Sequence, residues 1–218
     1  SHIAYSRQLA IKGLVIEDAF TRIGKLDVPQ RVRVEGSPEE GYRMRARLHA
    51  VGGQVGFFRE GTHEPCDPRQ TRQLLPATCE VLSRLAAGLR SLGIPEVHDL
   101  ELSENIDASQ RVVHIDADAS VTLESMAGLG VSDGISGLTL AVPDRGRTRV
   151  VVASGDPHVV DRFTLEGAEV VLRRHVLSFF QGNRFLLASL VGHVAGHIGA
   201  GDRVVDLYAG VGLFSVAA

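Results

Sequence analysis

The sharpest chemical motif of the chain is an acidic residue followed by a glycine turn near the C-terminal end. Val204 and Val205 lead into Asp206, and Leu207-Tyr208-Ala209-Gly210-Val211-Gly212 follows. Glycine has no Cβ, so a G-x-G turn lets the backbone approach a ligand closely. Such turns after buried strands bind S-adenosylmethionine (SAM) or dinucleotides, but the dinucleotide pattern needs a third glycine where Ser215 stands. The motif therefore favours a SAM site, with an ordinary strand-to-helix turn as the alternative.

A second motif combines two aromatic residues with side-chain amides. Phe179 and Phe180 are followed by Gln181 and, two residues later, Asn183. Aromatic rings can stack on a flat nucleobase while an amide bonds to the edge of the base. The alternative is that the two phenylalanines belong to the core and that Asn183 caps a helix.

Three arginines alternate along one predicted strand: Arg43, Arg45 and Arg47. Alternate strand residues share a face, and guanidinium groups on one face suit a phosphate backbone. The alternative is a solvated sheet face whose arginines pair with nearby acids. The charge is also uneven, since residues 31–72 hold eight arginines and six acids, whereas residues 94–125 hold one arginine and eight acids. A polyanion would be attracted to the first segment and repelled by the second.

Metal ligands and thiol nucleophiles are not predicted. His193 and His197 are four residues apart, but Val194 stands where a zinc-protease helix carries glutamate, so we expect both histidines on a solvated face. Cys66 and Cys79 have no matching histidine pair and are too few for a disulfide framework. We expect both cysteines to be structural.

Composition restricts the class of protein. The 218 residues are 44% hydrophobic and 22% charged, with a net charge of -3, which is ordinary for a globular protein and argues against a globally basic nucleic-acid coat. No apolar run reaches the roughly 18 residues of a membrane span, and no secretory signal is present. We therefore expect no membrane partner and a cytoplasmic location.

The elements that must position these motifs fall into three parts. An N-terminal helix is predicted over Tyr5–Ile23, and a mixed middle part follows. Helix Pro76–Leu92 is the clear helix of that part, and the Gly52-Gly53 pair predicts a hairpin turn. The predicted strands are Arg31–Val34, Tyr42–Ala50, Gln54–Arg59, Arg111–Ala117, Gly137–Val142, Arg147–Ala153 and Glu169–Arg173. Many strands with one helix indicate an α+β fold with an antiparallel sheet.

The third part of the chain has a different order of predicted elements from the middle part. A helix over Asn183–Gly199 and a strand over Arg203–Leu207 precede the glycine turn, which is the opening of a Rossmann-like α/β domain. A parallel sheet needs more than one strand, so we expect this part to be a truncated piece of a larger domain. The predicted domains are residues 1–27, 28–177 and 178–218.

Taken in order, the motifs resemble the RNA 5-methyluridine (uracil-C5) methyltransferase family. The segments that carry the resemblance are Tyr5-Ser6-Arg7-Gln8-Leu9 with Lys12, Tyr42-Arg43-Met44-Arg45-Ala46-Arg47, Val55-Gly56-Phe57-Phe58-Arg59-Glu60-Gly61-Thr62-His63, Phe179-Phe180-Gln181-Gly182-Asn183 and Asp206-Leu207-Tyr208-Ala209-Gly210-Val211-Gly212. They cover nearly the whole chain. The resemblance implies a SAM-dependent enzyme that methylates C5 of a uridine in rRNA or tRNA, with residues 1–27 packing against the methyltransferase domain and residues 28–177 contacting RNA.

The resemblance also implies site residues. Gln181, Asp206, Tyr208, Gly210 and Gly212 match cofactor-binding positions. The expected RNA-contacting residues are Arg43, Arg45, Arg47, Arg59, His63, Phe179 and Phe180. In this family a cysteine thiolate adds to C6 of a flipped-out uridine, which makes C5 nucleophilic toward the methyl group, and a base then removes the C5 proton.

Several family features depart from this chain. The nucleophilic cysteine and the base are expected after Ala218, so the 218 residues alone are predicted to be inactive. Ala209 and Leu213 replace a cysteine and an asparagine that are common in the turn. Thr71 stands where many members carry a cluster-ligating cysteine, so no iron–sulfur cluster is expected, and we expect these residues to lack the family's small N-terminal β-barrel.

Two other functions remain open: a non-catalytic RNA-binding module, and a SAM-dependent methyltransferase that acts on a small molecule or protein. The sequence does not determine which RNA or uridine is used, or the oligomeric state.

Overall fold

A computed structural model describes residues 3–28, 30–94, 96–129, 134–199 and 201–217. The chain divides into two compact units, Ser1–Glu39 and Glu40–Ala218. The domain boundaries expected from the sequence stay predictions.

The N-terminal unit is one helix with an extended segment lying along it. Helix α1 spans Tyr5–Asp18 and continues as a π-helical turn over Ala19–Ile23, which confirms the predicted helix. The Tyr5 hydroxyl accepts a hydrogen bond from the Ser37 backbone N–H at 2.8 Å, and Glu17 Oε1 accepts one from Val32 N–H at 2.9 Å. These side chains bind the backbone of residues 31–37, which form no strand, so the strand predicted at Arg31–Val34 is wrong. An extended segment whose backbone is bound by side chains needs no strand partner.

The larger unit has an α+β fold built on a seven-stranded sheet. Its strands are β1 Arg45–Val51, β2 Gln54–Phe58, β3 Pro65–Cys66, β4 Val97–Glu104, β5 Arg111–Ala117, β6 Gly137–Asp144 and β7 Arg147–Gly155. The spatial order is β3-β2-β1-β4-β5-β6-β7. The pairs are antiparallel, as predicted, except that β5 and β6 are parallel, which makes the sheet mixed.

The two faces of this sheet differ in polarity because side chains alternate along each strand. Leu48, Leu100 and Ile115 point to one face, where they are fully buried. Helix α3, Pro76–Ser91, covers that face with Leu82, Leu85 and Leu89, as its spacing predicts. Proline suits the first turn of α3, and Gly93 follows its end with a φ of +65° that favours glycine. A short helix α2, Pro68–Thr71, precedes it.

A separate hairpin and a short helix pack on the other side of the unit. Strands β8, His158–Leu165, and β9, Ala168–His175, form the hairpin. Helix α4 spans Leu187–Ala195, shorter than the predicted Asn183–Gly199. A second apolar cluster joins these parts, and it consists of Met44, Leu172, Phe180, Leu187, Val191 and Leu213.

Strands β3, β4 and β8 were missing from the sequence prediction. Strand β4 carries Asp99 and Glu101 on one face, and these acids obscure the apolar alternation of Leu100 and Leu102 on the other face. The opposite error occurs at Arg203–Leu207, where the structure has no strand. Val205 and Leu207 are mostly exposed there. A strand requires a hydrogen-bonding neighbour, and none of the described residues provides one for this segment.

Within the described ranges, no helix combines the length and the apolar character that a bilayer crossing requires.

Candidate functional site

The Phe-Phe-Gln segment is attached to the start of β1 through the backbone. Met44 N–H donates to the Gly182 carbonyl at 2.8 Å, and Arg184 N–H donates to the Tyr42 carbonyl at 2.9 Å. Arg43 and Asn183 form an isolated antiparallel bridge between these bonds. The segment that carries Gln181 is therefore held as a short extra strand beside the arginine-bearing strand.

A buried polar network lies beneath this attachment. We define it by Glu104, Arg111, Arg184, Arg174 and Asp161, which are each at most 8% exposed. The Glu104 carboxylate accepts from Arg111 Nε at 2.5 Å, and it also binds Arg184 and the Thr78 hydroxyl. Arg184 further donates to the carbonyls of Gly41 and Ile106, each at 2.9 Å. One buried carboxylate thus holds α3, β5 and the Phe-Phe-Gln segment together.

Arg174 connects this network to Phe180. Its Nε donates to Asp161 Oδ2 at 2.6 Å, and its Nη2 donates to the Glu104 carbonyl at 2.6 Å. The guanidinium carbon lies 4.2 Å from the centre of the Phe180 ring, a cation–π contact. Phe180 is 4% exposed. This burial matches the alternative in which Phe180 belongs to the core, because Arg174 and the second apolar cluster cover its ring. Contact of Phe180 with RNA stays a prediction.

Phe179 has the opposite environment. Its side chain is 69% exposed, so its ring is open to a ligand. Asn183 Oδ1 accepts from the backbone N–H groups of Phe185 and Leu186 at 3.0 and 3.3 Å, which caps the turn before α4. Both alternatives for this motif are thus present: one phenylalanine and the asparagine have structural roles, while Phe179 is free for contact.

The glycine turn follows a segment of exposed, irregular backbone. Tyr208, Gly210 and Gly212 all have positive φ, at +59°, +58° and +76°. A Cβ on Gly212 would meet nothing within 4 Å, so open space lies beside that glycine. Asp206 Oδ2 accepts a hydrogen bond from the Ser215 hydroxyl at 2.6 Å. Leu213, just after the turn, is buried in the same apolar cluster as Phe180, which brings the turn and the Phe-Phe-Gln segment into one region.

The arginine strand faces a row of acids across the sheet. Arg45 lies 3.6 Å from Glu101, and Arg47 lies 2.5 Å from Asp99 on β4. The latter bond raises the pKa of Arg47. Burial alone would raise the pKa of Asp99, but hydrogen bonds from Arg47 and His49 outweigh it and lower that pKa. We call this set the acid-paired strand face, and it matches the alternative in which the arginines pair with nearby acids.

An aromatic stack at the end of this face escaped the sequence analysis. The rings of His49 and Phe58 are parallel, with centres 3.7 Å apart, and the edge of His63 meets Phe58 at 5.3 Å. His49 Nδ1 also lies 2.6 Å from Asp99 Oδ1. The register places His49 opposite Gly56, so Phe58 is its diagonal neighbour on the adjacent strand. Because residues 45, 47 and 49 share one strand face, the sequence could have indicated His49 as a site residue. It could not have indicated Phe58 as the ring that His49 stacks on.

Two of the expected RNA-contacting arginines have no carboxylate at ion-pair distance within the described part of the chain. Arg43 lies over the Phe57 ring at 5.9 Å, and its Nε is buried without a hydrogen-bond partner. Arg59 is exposed at the end of β2. These two guanidinium groups therefore keep their charge uncompensated, unlike Arg45 and Arg47.

Cys79, His193 and His197 have the environments that the sequence predicts. Cys79 is buried, and burial raises the pKa of its thiol, which makes it a poor nucleophile. His193 on α4 and His197 just after its end are exposed, and their rings lie edge to face with centres 4.8 Å apart. In the portion of the chain that the structure covers, no three histidine, cysteine or acidic residues are grouped as a metal site would require.

The fold has a close counterpart among solved structures. The tRNA (uracil-54, C5)-methyltransferase of Pyrococcus abyssi, solved in complex with S-adenosyl-L-homocysteine, aligns with a TM-score of 0.72 at 21% identity. The alignment covers 98% of this chain and 53% of that one. The chain therefore has the fold of this part of a uracil-C5 methyltransferase structure.

Sequence relatives point to the same family. The 23S rRNA (uracil(1939)-C(5))-methyltransferase RlmD of Methylococcus capsulatus is 26% identical over 224 residues, covering 99% of this chain and 50% of its own length. RlmD of Xylella fastidiosa is likewise 26% identical over 99% of this chain, and RlmD of Bordetella pertussis is 33% identical over 44% of it. No protein-family model matches.

The resemblance to RNA uracil-C5 methyltransferases is thus confirmed along the whole chain. The chain spans about half the length of the curated relatives that it matches end to end.

Proposed function

We propose that this chain forms part of a SAM-dependent RNA methyltransferase that transfers a methyl group to C5 of a uridine in rRNA or tRNA. The observation that carries the proposal is the set of relatives with this activity in their names, which align over 99% of the chain. The α+β architecture, and the proximity of the glycine turn to the Phe-Phe-Gln segment, support it.

The residue types around the glycine turn are suited to binding SAM. Positive φ at Gly210 and Gly212 and open space beside Gly212 suit close approach of a ligand to the backbone. Gln181 would bind the cofactor through its amide, and Asp206 and Tyr208 would contact it at the turn. When bound, SAM supplies the methyl group that is transferred. The buried polar network holds the backbone on either side of Gln181 in place.

We propose Phe179 as the first of the RNA contacts. Phe179 is exposed beside Gln181 in sequence, so its ring is available to the target base. Arg43, Arg59 and His63 are the further RNA contacts that we propose. Arg45 and Arg47 contribute less to RNA affinity than their number suggests, because Glu101 and Asp99 compensate their charges.

We also propose that these 218 residues do not catalyse methyl transfer by themselves. The reaction in this family needs a cysteine thiolate, and the two thiols present are a buried Cys79 and a Cys66 within β3. Cys79 belongs to the apolar cluster under α3 and Cys66 lies on the edge strand β3, whereas Phe180 and Leu213 belong to the second apolar cluster. The chain would therefore bind substrate without completing the chemistry.

A methyl-transfer assay tests both parts of the proposal. Tritiated SAM and uridine-containing rRNA and tRNA transcripts would be incubated with the whole gene product that carries these residues, and separately with the 218 residues. We expect 5-methyluridine from the former only, with Gln181→Ala lowering its yield at least tenfold. Turnover by the 218 residues alone would refute their inactivity. If the whole product methylates protein or small molecules but no RNA, the substrate assignment is wrong.

The alternative of a non-catalytic RNA-binding module makes a different prediction. It requires salt-dependent RNA affinity from the chain, with no SAM binding and no methylation by the whole product. The observation that favours this function is that neither the half-buried Arg43 nor the exposed Arg59 has a carboxylate at ion-pair distance among the described residues.

A further inference from the structure

A polar cleft lies on the α3 side of the sheet, and none of the residues proposed above to bind the cofactor lines it. It has a volume of about 350 Å³, which falls in the size range of small-ligand pockets. Its walls come from β2, β3, α2 and α3. We call it the polar cleft, and three arginines line it: Arg59, Arg69 and Arg90.

One of these arginines is already compensated. Arg69 donates to Glu80 Oε1 at 2.8 Å and lies 3.4 Å from Asp67, and it also donates to the Ser83 hydroxyl at 3.0 Å. The Asp67 carboxylate accepts from Arg69 N–H at 2.9 Å as the cap of α2. The acid that lines the cleft is thus fully engaged with Arg69, so it does not neutralise the other two arginines.

Arg59 and Arg90 keep their positive charge. Within the described ranges, neither has a carboxylate at ion-pair distance, and both are exposed. Arg90 donates to the Gly53 carbonyl, and its aliphatic stem lies against Gly53, where a Cβ would approach it at 2.8 Å. That packing orients Arg90 along the wall of the cleft. Two positive charges without carboxylate partners on one concave surface attract an anion with two or more oxygens, such as a phosphodiester.

An apolar cleft adjoins the polar one. It shares Val55, Ala86 and Arg90 with the polar cleft, and its other walls are apolar side chains and glycines such as Leu89, Ile94 and Gly53. A nucleotide combines a charged phosphate with a flat base of low polarity on its faces. The polar cleft offers positive charge for the phosphate, and the apolar cleft offers an uncharged surface for the base, with Arg90 lining both.

We propose that the polar cleft binds a phosphodiester of the RNA strand through Arg59 and Arg90, with the neighbouring base entering the apolar cleft. This inference rests on the proposed function, because it takes RNA as the ligand. It places an RNA contact on the face of the sheet that α3 covers, opposite to the acid-paired strand face.

RNA affinity of the 218-residue chain provides the first test. Binding of a fluorescein-labelled, uridine-containing single-stranded RNA would be followed by anisotropy at several salt concentrations. Arg59→Gln should raise the Kd about tenfold and should reduce the slope of log K against log salt by roughly 0.7, the value for one phosphate on a single strand. The matched control is Arg147→Gln, which removes the same charge from an exposed position on β7 at the far edge of the sheet.

Cys66 provides a second test that reports location. Its thiol lines the polar cleft and is partly exposed, whereas Cys79 is buried. RNA should slow alkylation of Cys66 by N-ethylmaleimide at least fivefold, with Cys66→Ala measuring the background. At an RNA concentration about four times the Kd of the unsubstituted chain, the weaker binding of Arg59→Gln should reduce that protection to less than about twofold.

The outcomes separate the two proposals. RNA binding with unchanged Cys66 reactivity, or equal effects of the Arg59 and Arg147 variants, would overturn the cleft assignment and leave the proposed function intact. Protection by inorganic polyphosphate as strong as that by RNA would reduce the cleft to a general anion site and also overturn the nucleotide assignment. Absence of RNA binding would contradict the proposed function itself.

Discussion

The buried polar network and the polar cleft use the same residue type in opposite ways. In the network, Arg111, Arg174 and Arg184 are surrounded by carboxylates and carbonyls and are nearly inaccessible to water. In the polar cleft, Arg59 and Arg90 are exposed and lack a carboxylate partner among the residues that the structure describes. A buried guanidinium must be compensated because its desolvation is costly, whereas an exposed one can keep its charge for a ligand.

The difference separates arginines that maintain the fold from arginines available for recognition. Burial lowers the pKa of Arg174, and Asp161 opposes that effect. The acid-paired strand face lies between the two extremes, since its arginines are partly exposed but already paired. The number of arginines in a segment is therefore a poor measure of the charge that it presents to RNA.

The largest expected effect is on stability, at the centre of the buried polar network. Glu104→Gln would leave Arg111 and Arg184 with a neutral partner in a dry site, and such changes cost about 3–5 kcal/mol. Urea denaturation of the chain should show that loss as a lower midpoint with an unchanged m-value. Glu169→Gln is the matched control, because Glu169 pairs with Arg162 at 3.4 Å on the exposed hairpin and should cost less than about 1 kcal/mol.

Equal losses of stability from these two variants would contradict the distinction between buried and exposed arginine pairs.

A smaller effect, on RNA affinity, is expected at the acid-paired strand face. Asp99→Asn would free Arg47 and remove a negative charge, so RNA affinity should increase by about twofold to fivefold, as for other surface pairs. The anisotropy assay described above measures the change. Asp144→Asn, at the β6–β7 turn beside Arg149, removes the same charge elsewhere and serves as the control.

Weaker RNA binding after Asp99→Asn would show that Asp99 positions Arg47 for RNA and does not mask it. In that case the acid-paired strand face would have to be grouped with the polar cleft.

The smallest expected effect is a pH dependence of stability that comes from a buried histidine on β5. His114 bonds to the Thr139 hydroxyl at 2.9 Å, and burial lowers the pKa of its imidazole. The unfolded chain then binds more protons than the folded one as pH falls below about 6.5, so stability decreases in that range. Thermal unfolding between pH 7.5 and pH 5 should show a smaller decrease for His114→Gln than for the unsubstituted chain.

His193→Gln, an exposed histidine on α4, should leave that pH profile unchanged. An unaltered profile in His114→Gln would place the pH dependence elsewhere, for example at His175, whose pKa is lowered by burial and by His158.

Local pattern predicted much of the fold. Helices α1 and α3, strands β1, β2, β5, β6, β7 and β9, and the Gly52-Gly53 turn follow from apolar spacing and turn residues. Strand β4 was missed because Asp99 and Glu101 on its polar face obscured the apolar alternation of Leu100 and Leu102. The strand expected at Arg203–Leu207 failed for the converse reason, since apolar spacing cannot supply a partner strand.

The sequence indicated which residue types the candidate site contains, but it did not indicate whether each side chain is buried, exposed or paired. The motifs identified Phe179, Phe180 and three alternating arginines, but burial under Arg174 separates Phe180 from its neighbour. The acids opposite the arginines lie some fifty residues away in the chain, and the register of β1 with β4 brings them together. The polar cleft could not be foreseen either, because α3 and β2 meet only in the folded chain.

The order of residues was sufficient for the family resemblance and for the helices and most strands, because motifs and amphipathic spacing are local properties of the chain. Folding alone assigned each arginine its neighbours. Whether a guanidinium is neutralised depends on distance and on access to water, and both are decided by residues far apart in the chain.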